Sequence, residues 1–142
     1  TIGVCGKTHS RYAVNQRSGR MKKKQGLYTA FVIAFKGITL AFKERNFLID
    51  VFCAIAAIIL AFILKISNLE WIAVLFCIAL VLCLEMFNTV IERTIDHLHP
   101  KQHSKAGEIK DIAAGSVLVA AIFSAVIGGL IFLPKLMAML NS

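Results

Sequence analysis

Four polar residues, Glu85, Asn88, Glu92 and Asp96, recur at helical spacing within a largely apolar stretch. Successive helical residues rotate by about 100°, so these side chains fall within an arc of roughly 80° on one helix. Paired carboxylates suit Mg²⁺, which takes a few oxygen ligands from protein and the remainder from water and phosphates. Phosphoryl transfer needs positioning, metal charge and a base near the accepting hydroxyl. This acidic face therefore holds the carboxylates that, with a lysine nearby, would suffice for phosphoryl transfer.

The elements that must position these residues are membrane spans. The chain has 142 residues, of which 58% are hydrophobic, whereas soluble domains average about 45–50%. A helix needs roughly 20 apolar residues to cross a hydrocarbon core of about 30 Å. Three stretches qualify, approximately 47–64, 69–91 and 112–133. The predicted fold class is an all-α integral membrane protein with three transmembrane helices.

Glu85 lies inside the second span, where a charged side chain costs about 2.5 kcal/mol or more. A carboxylate placed there at such a cost is expected to have a functional or structural role. A structural interpretation is that Glu85 bonds across helices and only specifies packing. The functional interpretation is favoured because Glu92 and Asp96 extend the same face toward a basic loop.

A second polar pair, Lys110 and Asp111, stands at the start of the third span. Free amide groups and the positive end of the helix dipole favour anions there. A pair of this kind is usually an interfacial anchor, but its proximity to the acidic face favours a contact with phosphate.

The formal net charge of +8 follows membrane topology rather than nucleic-acid binding. Basic residues collect before the first span and between the second and third, whereas the connection between the first two offers only Lys65 against Glu70. Because short cytoplasmic segments retain positive charge, we expect the N-terminus and residues 92–111 to be cytoplasmic.

The N-terminal region divides into a polar leader and an amphipathic segment. Residues 1–25 are basic and lack periodicity, so we expect a disordered leader, with 1–20 an upstream extension before a natural start at Met21. In 27–44, Thr29, Lys36 and Lys43 share one helical face among apolar neighbours, which predicts an amphipathic helix at the cytoplasmic interface. A secretory signal is the alternative interpretation. Residues 26–142 are predicted to form one membrane-embedded domain.

Two features of the third span concern packing. Ser116, Ala120, Ser124 and Gly128 form a ladder of small residues at spacings of four, which predicts close approach of another helix. Pro134 is expected to end the helix, because proline lacks the amide donor that an onward helix needs.

The polar positions also form a specific pattern, EMFNTVIERTID at 85–96 and KDIAAG at 110–115. It closely resembles the prokaryotic diacylglycerol kinase family, which includes the undecaprenol kinases of Gram-positive bacteria, and the resemblance extends from about Gly26 to the C-terminus. It implies a homotrimer in the bacterial plasma membrane, with an amphipathic surface helix and active sites shared between neighbouring subunits. It also implies ATP as phosphoryl donor, Mg²⁺ as cofactor and a lipid alcohol as substrate.

The same resemblance implies a role for each candidate residue. Glu85 would be the general base, Glu92 and Glu44 would bind the metal, and Asn88 would orient groups beside the base. The implied nucleotide contacts are Lys101, Gln102, His103, Lys110 and Asp111. The implied supporting or substrate-binding residues are Asp50 and Asp96.

The function predicted from the sequence is ATP-dependent phosphorylation of undecaprenol, because the Glu44-Arg-Asn-Phe47 segment looks like the Gram-positive branch. A diacylglycerol kinase that makes phosphatidic acid is the alternative enzyme. A noncatalytic membrane subunit is the alternative of another class. A small transporter is poorly supported, since three spans offer no pair of broken helices.

Overall fold

The computed structural model describes residues 26–98 and 104–141. These ranges form four helices and no strand, namely α1 (Leu27–Ala41), α2 (Arg45–Ile63), α3 (Asn68–Leu98) and α4 (Ser104–Leu140). Helices α2, α3 and α4 are long and apolar enough to cross a membrane. The predicted all-α class with three spans is confirmed, while the predicted leader lies outside the described residues.

The chain divides into two compact units between Ala34 and Phe35, within α1. The described part of the first unit is residues 26–34, whose large apolar side chains, such as Tyr28 and Phe31, are exposed. The second unit holds the end of α1 and all of α2–α4, and every candidate site residue belongs to it. The helix predicted in 27–44 is present and ends at Ala41; its location at a membrane surface stays a prediction.

Within the second unit, α3 packs against both α2 and α4. The residues buried along α4 are alanines seven apart, Ala106, Ala113 and Ala120. Large side chains instead face outward, as Phe52 and Leu130 do at 70% and 73% exposure. Small residues at the contact and large ones outside are typical of helices packed in lipid, where close backbone approach drives association.

The predicted ladder on α4 only partly matches this packing. Ala120 is buried, but Ser116 is exposed, and Ser124 and Gly128 line a cavity of about 550 Å³ bordered by α2, α3 and α4. Residues four apart advance about 40° around a helix at each step, so the ladder winds away from the contact. Residues seven apart drift much less and stay on it.

The expectation that Pro134 ends the third span is wrong, since α4 continues through it to Leu140. Proline removes the amide that would bond to the carbonyl four residues earlier, which costs about 3 kcal/mol in a helix interior. Neighbouring helices and local adjustment make such prolines tolerable in transmembrane helices. Beyond it, Lys135 pairs with Glu70 at 3.1 Å and ties α4 to the start of α3.

The turn from α2 to α3 is a Schellman motif. The Ile66 amide donates to the Ala61 carbonyl and the Lys65 amide to the Phe62 carbonyl, both at 3.3 Å. Ile66 and Ala61 also pack together in a small core with Val74. This arrangement satisfies carbonyls that a helix end otherwise leaves unpaired.

The first turn of α3 is closed by a capping box. The Ser67 amide donates to Glu70 Oε2 at 2.6 Å, and the Glu70 amide donates to Ser67 Oγ at 3.4 Å. A serine followed three residues later by a glutamate satisfies two free amides reciprocally. The hairpin of α2 and α3 is therefore fixed at the end remote from the acidic face.

Lys65 occupies the left-handed backbone region, with φ of 46°. A side chain is disfavoured in this conformation, so we expect Lys65→Gly to stabilise the protein by roughly 0.5–1 kcal/mol. Thermal unfolding in detergent would measure the change. Lys65→Ala removes the same charge but keeps a Cβ and should give no gain; an equal gain in both variants would refute the backbone explanation.

Candidate active site

Glu85 is a buried carboxylate on a membrane-spanning helix, with 4% of its surface exposed. Asn88, one turn later on α3, is equally buried, and Glu92 is half-buried one turn beyond that. These three residues share one side of α3, as the helical spacing predicts. A carboxylate so enclosed must be offset by polar neighbours, because an isolated buried charge is very costly.

The N-terminal end of α2 supplies one such neighbour, Asn46, together with two further carboxylates that repel a charge on Glu85. The Asn46 amide lies beside the Glu85 carboxyl, and the carboxylates of Asp50, Glu92 and Glu44 are close enough to interact with it electrostatically. Asn46 and Asp50 are four residues apart and so project from the same face of α2. Two helices thereby converge on one acidic cluster, defined as Glu44, Asp50, Glu85 and Glu92.

Glu44 is placed by the tight turn between α1 and α2. The amides of Lys43 and Glu44 donate to carbonyls at the end of α1, and the rings of Phe42 and Phe47 meet edge to face, with centroids 5.2 Å apart. Glu44 is the N-cap residue of α2, yet its side chain makes no capping bond. Its carboxylate instead accepts a hydrogen bond from the guanidinium of Arg93 on α3.

Glu92 is held by Asn88, whose Nδ2 donates to Glu92 Oε1 at 3.2 Å. The other polar atom of the amide, Asn88 Oδ1, is buried and accepts no hydrogen bond from the residues that the structure describes. Buried acceptors are rarely left unpaired, and each exception calls for an explanation. The Asn88 amide thus contacts Glu92 through its nitrogen, while its oxygen is left unpaired.

The carboxylates present fit a particular kind of metal site. Among the described residues, no three His, Cys, Asp or Glu side chains are grouped so as to hold a cation by themselves. Mg²⁺ commonly binds through one or two carboxylates and completes its coordination with water and substrate phosphates. Glu44 and Glu92 therefore suit a cation that arrives with a phosphate rather than a resident structural metal.

Asp96 diverges from the acidic cluster and pairs with α4. Lys110 Nζ donates to Asp96 Oδ1 at 2.9 Å. The pair joins the helices on either side of residues 99–103. Asp111 is exposed, without an ion pair in the described part of the chain. The nucleotide contacts predicted at Lys101, Gln102 and His103 lie outside the described residues.

Arg93 and Asn46 are residues of the site that the sequence did not single out. Arg93 counted only as a loop charge, although its position directly after Glu92 was a signal that a cation adjoins the acidic face. Asn46 precedes Asp50 by one helical turn, which was the available signal for a polar face on α2. The partners of both residues depend on how α2 and α3 pack, which periodicity within one helix does not show.

Comparison with known proteins gives consistent matches. Residues 32–132 match the family model described as prokaryotic diacylglycerol kinase. The chain is 43% identical over 110 residues to undecaprenol kinase of Bacillus subtilis, a match that covers 77% of this chain and 89% of that protein. It is 34% identical to diacylglycerol kinase of a Synechocystis species, covering 80% and 66%. It is 33% identical to diacylglycerol kinase of Haemophilus influenzae, covering 70% and 86%.

The unpaired Asn88 oxygen leads to a stability prediction. Leucine has a similar branched shape to asparagine. Asn88→Leu removes a buried unsatisfied acceptor, which destabilises the fold by about 1–3 kcal/mol, and it also removes one stabilising hydrogen bond of comparable size. We expect the unfolding free energy of Asn88→Leu in detergent to change by less than about 1 kcal/mol. Thr89→Val, at the buried neighbour, is the matched control. A loss above about 2 kcal/mol for Asn88→Leu alone would mean that the hydrogen bond to Glu92 outweighs the cost of the unpaired oxygen.

Proposed function

Because the chain belongs to the prokaryotic diacylglycerol kinase family, we propose that it transfers the terminal phosphoryl group of ATP to the hydroxyl of undecaprenol, with Mg²⁺ as cofactor. Membership of this family makes the protein a membrane lipid kinase that uses a nucleotide as phosphoryl donor. The single observation that carries the proposed mechanism is the buried Glu85, which interacts electrostatically with three half-buried carboxylates, Asp50, Glu92 and Glu44.

Glu85 acts as the general base in this proposal. The lipid hydroxyl gives its proton to the Glu85 carboxylate as its oxygen bonds to the terminal phosphorus, and the bond from that phosphorus to the bridging oxygen breaks and releases ADP. A carboxylate shielded from water is a stronger base than a hydrated one, because burial disfavours its charged form. Asn46 and Asp50 line the approach to Glu85 and support its orientation.

Glu44 and Glu92 are the proposed ligands of Mg²⁺, which would neutralise charge on the transferring phosphoryl group when bound. Asn88 fixes the carboxylate of Glu92 through the 3.2 Å bond. Glu44 approaches from the N-terminus of α2, so the two ligands come from different helices. A metal site built in this way forms only when α2 and α3 are correctly packed.

The nucleotide is proposed to lie against the ends of α3 and α4. Lys110 would contact phosphate, and Asp96 holds the Lys110 ammonium at 2.9 Å on that side of the bundle. The first turn of α4 adds free amides that favour anions. The further contacts proposed here are Asp111, Lys101, Gln102 and His103.

Undecaprenol is the proposed acceptor because the relative named for it shares 43% identity, against 34% and 33% for the two relatives named diacylglycerol kinase. Diacylglycerol is the second candidate, supported by those two relatives. Both lipids present a hydroxyl to the same base, so the apolar tail must decide between them.

Location and assembly complete the proposal. We place the protein in the bacterial plasma membrane with residues 92–111 and the N-terminus on the cytoplasmic side, where ATP is available and where basic segments are retained. We also propose a homotrimer with shared active sites. The outward-facing large side chains of the spans, such as Phe52 and Leu130, leave apolar surface for lipid and for neighbouring subunits.

A comparison of acceptors tests the proposed function. Purified protein in mixed micelles with ATP and Mg²⁺ should phosphorylate undecaprenol with kcat/KM at least about tenfold above that for diacylglycerol, a difference of about 1.4 kcal/mol in transition-state binding. Omission of Mg²⁺ is the control and should abolish both activities. The reverse preference would assign a diacylglycerol kinase, and phosphorylation of neither lipid would contradict the proposed function.

A further inference from the structure

Arg93 occupies an unusual position in the acidic cluster. It follows Glu92 directly in the sequence of α3, and its guanidinium pairs with Glu44, the N-cap residue of α2. Both side chains of the pair are partly open to solvent, at 50% for Arg93 and 38% for Glu44. No other cation forms an ion pair with Glu44 in the described ranges.

The solvent exposure of the Arg93–Glu44 pair determines how much it stabilises the fold and how easily it breaks. Exposed ion pairs contribute only about 0–1 kcal/mol, because water screens the attraction and two long side chains lose freedom. Such a pair stabilises the fold little and exchanges partners easily. A guanidinium can form paired hydrogen bonds with a phosphate as well as with a carboxylate.

We propose that Arg93 is a positioning residue that exchanges its partner from Glu44 to a nucleotide phosphate when the metal–nucleotide complex binds. Before binding, Arg93 offsets the charge of Glu44 and holds that carboxylate beside Glu92. On binding, Glu44 turns to the cation and Arg93 is released toward the phosphates. The inference rests on the proposed function, since it requires Glu44 to be a metal ligand.

This exchange predicts effects of opposite sign. Without nucleotide, Arg93 competes with a free cation for Glu44, so its removal should tighten binding of the cation. With nucleotide, Arg93 contributes a charge-assisted hydrogen bond, so its removal should weaken binding of the complex. If the ion pair only held α2 against α3, breaking it would weaken binding of the free cation and of the metal–nucleotide complex alike.

The experiment uses the full-length protein in detergent with Mn²⁺ as a paramagnetic substitute for Mg²⁺. Electron paramagnetic resonance titration measures binding of Mn²⁺ alone and of Mn²⁺ with a nonhydrolysable ATP analogue. For Arg93→Gln we expect about threefold tighter binding of Mn²⁺ alone and about tenfold weaker binding of the complex, with a higher KM for ATP and little change in kcat. Arg93→Lys, which keeps the charge, should restore most of each effect.

Two further variants separate direct exchange from general electrostatics. Arg45→Gln removes an exposed charge next to Glu44 that forms no ion pair in the described residues, and it should change either affinity by less than about twofold. In a Glu44→Gln background, Arg93→Gln should no longer tighten binding of free Mn²⁺, as a double-mutant cycle requires for direct coupling.

The outcomes distinguish this inference from the proposed function. If the wild-type protein binds the metal–nucleotide complex but Arg93→Gln weakens both kinds of binding or changes neither, the exchange is wrong and the proposed metal site stands. An Arg45→Gln effect equal to that of Arg93→Gln would also overturn the exchange. If the wild-type protein binds no metal–nucleotide complex, the proposed metal site fails and the exchange fails with it.

Discussion

The energetic cost of enclosing the Glu85 carboxylate in an apolar helix bundle is the constraint on which the rest of the structure depends. A buried charge must be met by hydrogen bonds or other polar groups. The Asn46 amide on α2 supplies one such hydrogen bond, whereas the nearby carboxylates of Asp50 and Glu92 bring further negative charge. The Phe42–Phe47 contact and the turn before α2 set where that polar face begins. The cluster therefore exists only in the packed hairpin.

The two ends of this hairpin have different physical characters. At the end remote from the cluster, the Schellman motif at Lys65 and the capping box of Ser67 and Glu70 satisfy the backbone locally. At the other end, the polar contacts run between helices, from Glu44 to Arg93 and from Asp96 to Lys110, and they are exposed. A buried carboxylate combined with exposed ion pairs suits the proposed mechanism, in which the acceptor side stays fixed while a charged nucleotide enters and leaves.

Sequence reasoning predicted the elements and the acidic face but not the contacts between helices. Hydropathy located α2, α3 and α4, and helical spacing placed Glu85, Asn88 and Glu92 together, because both signals are local to one helix. Sequence reasoning placed the end of the third span at Pro134, because proline ends a helix unless neighbouring helices support it, and the sequence does not show those neighbours. The Ala106, Ala113 and Ala120 row and the Arg93–Glu44 pair depend on packing, so no single segment revealed them. The alternative of a noncatalytic membrane subunit is not supported, because the similar proteins are named kinases.

The central claim is that Glu85 accepts the proton of the lipid hydroxyl, and chemical rescue tests it most directly. In Glu85→Ala, kcat should fall by about 10²–10⁴-fold, the usual contribution of a general base. Added formate, a carboxylate small enough for the space vacated, should restore turnover in proportion to its concentration. It should not affect Glu108→Gln, a variant at an exposed acid on α4 that should retain wild-type turnover. Full activity in Glu85→Ala, or a loss that formate leaves unchanged, would contradict the account.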